Sequence, residues 1–429
     1  MLKAYISVMR IRFTILLFLL STFFPSYSAC ASNLAPDIAL TGAKIYPSPA
    51  EPPIENGTIL VHEGRIVAVG PSAKIKVPRG AQVIDCKGLV VTAGFWNSHV
   101  HILTPGLLHA EKLSSEQIAG QLEEMFTRWG FTTVFDIGSV LENTALIRHR
   151  IETGEVKGPR ILTTGEPFWG KGGTPIYVKG FLEANHINIP DVESPAQGTE
   201  RVRQEIHDGA DGIKIFAGSV EANSVLIMPL DLAKPIVAEA HREGKPVFAH
   251  PSNQLGIELA LQSGVDILAH TTPDGGPWSP ALVERLKAAR MALIPTLTLW
   301  HVETRNLPPA EFEKGMNEVV LPQLRAYSEA GGQILFGTDV GYIEQFDTSE
   351  EFTWMSRAGM TFQQILASLT TNPAQRFGFA SRSGHIAKGM DADLVLLTAD
   401  PAQDATTFSK VRYTIRAGKV IYSEISNPR

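Results

Sequence analysis

Four histidines, one lysine and one aspartate stand at the ends of apolar runs in this chain, and together they would make a ligand set for divalent metal. The first two, His99 and His101, close the stretch Val90-Val91-Thr92-Ala93-Gly94-Phe95-Trp96-Asn97-Ser98. In extended chain a spacing of two puts both imidazoles on one face, where each can offer a ring nitrogen to a single borderline cation. An isolated His-x-His is more often a pair of loop histidines, so the weight falls on what lies downstream. Lys214 sits in Gly212-Ile213-Lys214-Ile215-Phe216. There the period-2 alternation turns the isoleucines outward and the ammonium inward, a costly place for charge unless it is neutralised or paired. Val247-Phe248-Ala249 ends in His250, Ile267-Leu268-Ala269 in His270, and Leu335-Phe336-Gly337-Thr338 in Asp339. Taken singly, His250 or His270 reads as a hydrogen-bonded core histidine, Lys214 as a snorkelling or ion-paired lysine and Asp339 as a helix cap. Independent accidents at the same end of five strands are less credible than one site, and the joint reading is a metal centre.

The elements that must position these residues form an alternating pattern. Strand candidates at 90–93, 132–135, 160–163, 212–216, 246–249, 266–269, 291–296 and 333–336 are separated by helical patterns such as 115–129, 230–243, 254–263 and 280–290. Eight strands with intervening helices over about 250 residues predict an α/β (β/α)8 TIM barrel, which carries its chemistry at the C-terminal strand ends. Short strands broken by turns at 37–86, with a hairpin at His62-Glu63-Gly64, return in texture at 393–397, 411–415 and 417–422. These predict a small β-sandwich built from both ends of the chain. The expected division is a signal segment at 1–31, sandwich at 32–88, barrel at 89–380 and sandwich again at 381–429. The other eight histidines lack a placement at the predicted barrel rim, and His207 and His241 read as solvated last turns of helices.

The first residues belong to a different category. Lys3, Arg10 and Arg12 precede the run from Phe13 to Phe24, followed by Pro25 and small residues, the order of a secretory signal too short to span a bilayer. Ala29-Cys30-Ala31 fits a cleavage site, predicting a mature start at Ser32 and a periplasmic or extracellular enzyme. Lipidation at Cys30 is the weaker reading, because Tyr27 stands where lipoprotein signals carry a small aliphatic residue. Cleavage would leave Cys86 alone, with no intrachain disulfide, and 35 basic against 44 acidic residues, a net charge of −9. That balance argues against nucleic acid or an anionic membrane as partner. No further apolar run is long enough to cross a membrane, and homo-oligomerisation is left open.

These residues resemble the metal-dependent amidohydrolase superfamily over nearly the whole mature chain, from the His-x-His through Lys214, His250, His270 and Gly337-Thr338-Asp339 to the closing 384–395 stretch. Within it the chain looks most like the imidazolonepropionase-related branch that contains the Xaa-Pro dipeptidases. The resemblance implies two Zn2+ ions, other divalent metals being compatible: His99, His101 and Asp339 on one, His250 and His270 on the other. Lys214, as its CO2-derived carbamate, would bridge both, and Asp339 would act as general base and then general acid. The implied activity is hydrolysis of an amide or peptide-like C–N bond in a dipeptide, N-acyl amino acid or cyclic amide.

The chain departs from that pattern at two exits. Pro251-Ser252-Asn253 follows His250, without the tyrosine that helps the Xaa-Pro dipeptidases hold the substrate carbonyl, and Thr271-Thr272-Pro273 follows His270 in place of glycine. Trp169, Lys171, Tyr177, Trp300, Arg305 and Tyr342 are the candidate substrate contacts from rim loops, with Lys171 and Arg305 as a cationic pair for a substrate carboxylate. Three rivals stand beside this reading. They are a mononuclear deaminase or imidazolone hydrolase in which Lys214 stays an amine, a lactone or ester hydrolase, and a metal-free binding protein on the same fold.

Overall fold

A computed structural model describes residues 37–424. The expected signal segment, its cleavage after Ala31 and Cys30 lie outside the described residues. In chain order the strands are β1 Ile38–Ile45, β2 Ile54–His62, β3 Arg65–Pro71, β4 Gln82–Asp85, β5 Val90–Ala93, β6 Phe95–Val100, β7 Phe131–Asp136, β8 Arg160–Thr163, β9 Ile213–Phe216, β10 Gly218–Val220, β11 Val225–Ile227, β12 Val247–His250, β13 Ile267–Ala269, β14 Ala292–Ile294, β15 Leu394–Leu397, β16 Val411–Arg416 and β17 Lys419–Ser423. The helices used below are α1 Ser115–Met125, α2 Leu141–Glu152, α3 Ile176–Ala184, α4 Pro195–His207, α5 Leu230–Arg242, α6 Gln254–Ser263, α7 Pro280–Ala288 and α8 Leu297–Glu303.

Both ends of the chain share one sheet, in the order β17-β16-β15-β5-β1-β2-β3 with β4 paired to β1. Alternate residues such as Leu40, Val61, Ile66, Val91, Leu396 and Ile415 form its buried cluster. Glu63 and Gly64, both at positive φ, make the β2–β3 turn. β5 departs from expectation. Val90–Ala93 belongs to this terminal sheet, pairing with β15 and β1, and the first strand of the central set is β6. The chain switches sheets at Gly94, where a Cβ would stand 2.2 Å from the Thr132 hydroxyl. The apolar run hid that break because both halves are buried, which removes the alternation that would have marked two strands.

The central strands are parallel, β6-β7-β8 in one sheet and β14-β13-β12-β9 in another. Isolated parallel bridges Phe168–Ile215, Leu293–Ile334 and Val100–Val340 lie beyond these ladders. The expected last strand at 333–336 forms only such a bridge, although Leu335 N–H donates to Leu293 and Ser98 N–H to Phe336. Alternation sorts the side chains of the central strands. Phe95, Val134, Ile213, Ile215, Val247, Ala249, Leu268 and Leu293 pack with the helices. Trp96, Phe135, Phe248, Ile267, Ala292 and Leu335 make a second cluster with Phe377. Lys214 and His250 fall on the parity of the second cluster, one or two residues past its apolar floor.

Helix boundaries follow their caps. Ser114 closes a capping box with Gln117, Asn253 accepts from Gly256 N–H, and Ser279 with Pro280 opens α7. No helix among the described residues is long and apolar enough to cross a membrane. Cys86 is buried, and burial pushes its thiol up to about 12.

Candidate metal centre

β6 delivers His99 and its end delivers His101. Gly138 O accepts from His101 Nδ1 at 2.8 Å, which fixes the tautomer and leaves Nε2 a lone pair. Asn97 locks the strand to the aspartate loop, donating to Thr338 Oγ1 at 2.8 Å, while His99 O accepts from Thr338 and Asp339 N–H. Asp339 Oδ1 then lies 3.0 Å from His99 Nε2 and 2.9 Å from His101 Nε2, with the two nitrogens 3.3 Å apart. Despite these distances Oδ1 is buried with no well-directed hydrogen bond, and His99 Nδ1 is likewise unpartnered. Three acceptor-like atoms converging head-on in a buried cluster is the arrangement expected around a shared cation, and these ligand atoms all lie within 4.8 Å of one another.

His270 joins from β13. Its Nδ1 lies 2.6 Å from Thr296 Oγ1, and that hydroxyl donates to Pro295 O, so it must accept from the ring. His270 Nε2 is thereby a lone pair, 3.9 Å from Asp339 Oδ2. The His270 ring centroid is 4.7 Å from those of both His99 and His250. His250 at the end of β12 stacks on Phe216 at 4.8 Å. The Lys214 ammonium, on a residue 1% exposed, has no hydrogen bond or ion pair with any described residue and lies 5.7 Å from the centre of the Phe216 ring. Burial pushes its amine down to about 7, as it pushes His99 and His250 down to about 3 and His270 well below its ordinary range. Burial by itself would raise Asp339, but the surrounding imidazoles outweigh it and hold the carboxyl well below its usual value. The neutral forms of His99, His250 and His270 and the anionic form of Asp339 are thereby favoured, the protonation state that binds metal.

The backbone is strained where it delivers these groups. His270, Thr296 and Asp339 all have positive φ, at 82°, 47° and 64°. Two glycines admit the close approach: a Cβ on Gly337 would meet Ile294 and His99 at 2.3 and 2.8 Å, and one on Gly341 would sit 1.8 Å from His101 O. Asp136, which sequence reasoning missed, is the hidden positioning group. It is fully buried at the end of β7, accepts from Ser139, Thr144, Thr163 and Ile102 N–H, and burial raises its carboxyl. Glu351 was missed too; it accepts from Leu297 and Thr298 N–H at 2.8 Å and anchors α8.

Of the substrate-contact candidates, Trp169, Tyr177, Trp300 and Tyr342 line the cavity of about 510 Å3 that opens on the cluster. Tyr177 OH lies 3.4 Å from His250 Nε2, Trp300 donates to Thr271 and Tyr342 to Glu303, while the buried Trp169 N–H has no partner. Lys171 and Arg305 correct the expectation: neither lines the cavity, and Lys171 is exposed beside Glu193 at 3.3 Å. His207 and His241 do end α4 and α5, exposed, with His241 2.8 Å from Asp266.

Comparison with known proteins gives the family. Residues 90–421 match the model of the Amidohydrolase family. The chain belongs to that family. It is 27% identical to an imidazolonepropionase of Aeromonas salmonicida, over 87% of this chain and 90% of that protein. It is 24% identical to the ochratoxinase of Aspergillus niger, over 86% and 83%. Its fold matches the crystal structure of a Xaa-Pro dipeptidase with bound methionine, at TM-score 0.76 and 22% identity, covering 90% of this chain and 99% of that one. This amidohydrolase is therefore a hydrolase of amide-type C–N bonds with the α/β fold of its superfamily, and the family's metal dependence agrees with the His99-His101-Asp339 cluster.

Proposed function

We propose that the chain is an exported binuclear zinc amidohydrolase whose parallel strands close into one (β/α)8 barrel. The three bridges beyond the two central sheets support closure. The observation that carries the metal reading is Asp339 Oδ1, buried, unpartnered and within 3.0 Å of two imidazole nitrogens. The donor set fits: His99, His101 and Asp339 would hold one ion, His250 and His270 the other. Lys214, buried without a counter-ion, would span them once carboxylated, which turns an expensive cation into an anionic oxygen ligand. Bound metal would supply a low-pKa nucleophilic water and polarise the scissile carbonyl.

The remaining steps belong to the chain's own groups. Asp339, anionic and facing three imidazoles, takes the nucleophile's proton and delivers it to the leaving nitrogen. Tyr177, arriving from α3 beside His250, supplies a hydroxyl donor at the place where the segment after β12 lacks one. Trp169, Trp300 and the surrounding apolar wall exclude water. A one-metal reading, with Lys214 as a free amine, has one observation in its favour: only His99, His101 and Asp339 form a tight three-ligand group among the described residues. A panel of anilides, N-acyl amines and cyclic amides assayed with zinc-loaded chain and bicarbonate tests the hydrolytic reading. Turnover lost in Asp339→Asn supports it, and no turnover of any member by loaded wild type contradicts it.

A further inference from the structure

One wall of the cavity is made by α3, whose Tyr177 reaches His250 while the rest of its face runs on past the metal ligands. α3 has the sequence Ile-Tyr-Val-Lys-Gly-Phe-Leu-Glu-Ala and buries none of its residues fully. Tyr177, Val178, Phe181 and Leu182 lie on one helical face and all four line the cavity, each half-buried. A continuous apolar face left half-covered over an internal void is a surface that a ligand completes. Charge points the same way. Apart from Lys214 at the metal cluster, no lysine or arginine among the described residues lines the cavity, whereas Asp274 and Glu303 do. Lys179, the cation on α3 itself, is turned to Glu221 at 3.3 Å. An anionic group seated under α3 would lose its water with no counter-charge in reach.

Resting on the hydrolytic reading above, we infer that the substrate is an uncharged amide whose hydrophobic group lies beneath the Tyr177-Val178-Phe181-Leu182 face, and that a carboxylate on that group is rejected. Free dipeptides and N-acyl amino acids with the acid at that end are thereby disfavoured.

Two probes without a scissile C–N bond test this apart from turnover: benzyl pentyl ketone and its para-carboxy derivative, titrated calorimetrically into the zinc-loaded chain. The neutral ketone is expected to bind at least tenfold more tightly. Equal or tighter binding of the carboxylate overturns the inference, as does failure of both to bind. Phe181→Lys should lower the neutral probe's affinity and raise that of the carboxylate at least fivefold, and unchanged affinities for both would overturn the placement under α3. Leu182→Lys serves the same comparison should Phe181→Lys not fold by circular dichroism. If the neutral preference holds while the amide panel shows no turnover, the hydrolytic reading falls and the ligand class stands.

Discussion

Thr296→Val separates the metal-binding role of His270 from its packing. The substitution keeps the volume and β-branching that the left-handed backbone at 47° already tolerates. It removes the oxygen that receives the His270 Nδ1 proton at 2.6 Å. Two losses follow. The ring N–H becomes a buried donor with no acceptor, a penalty of about 1–3 kcal/mol. The tautomer that aims a lone pair from Nε2 at the cluster loses its lock, and loss of an outer partner of this kind lowers metal affinity by about 10–100-fold. The two estimates agree, because a tenfold change is about 1.4 kcal/mol. Chelator-competition titration of apo-protein with zinc should therefore show the weaker of two binding steps shifted by one to two decades. The step carried by His99, His101 and Asp339 should be nearly unmoved. Thr296→Ser retains the hydroxyl and should restore the wild-type curve. Wild-type zinc affinity in Thr296→Val, with His270 intact, would refute the argument that the hydroxyl sets the ring.

Three further perturbations test other parts of the account. Gly341→Ala pushes a Cβ into His101 O at positive φ, and should lower stability by about 3 kcal/mol or more, read as a fall in Tm with loss of soluble protein. Tyr177→Phe should lower kcat about 100–1,000-fold with little change in bound zinc, measured by steady-state kinetics and metal analysis. Burial raises the Glu351 carboxyl to about 7, so the folded state holds its proton more tightly than the unfolded chain. Stability should then fall as pH rises from the ordinary glutamate range toward 7, by at most about 1.4 kcal/mol per unit, and Glu351→Gln should flatten that slope in urea titrations.

The placement of His99, His250 and His270 was legible because each closes an apolar parallel strand, and that of Lys214 because strand parity turns it away from Ile213 and Ile215. The helices at 254–263 and 280–290 were legible from their apolar patterning, and the structure starts them at caps, Asn253 for α6 and Ser279 with Pro280 for α7. What the sequence concealed depends on tertiary distance. Asp136 ends a strand like the ligands do, but only its place behind His101 reveals a positioning role. Glu351 reaches α8 from a helix some fifty residues later, and no local pattern announces that. The switch of sheet at Gly94 was masked by burial on both sides. Lys171 and Arg305 were misjudged because exposure, unlike strand parity, cannot be counted along a loop.

The account stands on a shared metal centre spanning Lys214. Metal analysis of the purified chain, refolded with zinc and bicarbonate, measures it directly. Two zinc equivalents per chain are expected, falling to one or fewer in Lys214→Ala with the fold retained. A wild-type chain that takes up no zinc, or a Lys214→Ala chain that still holds two, would contradict it.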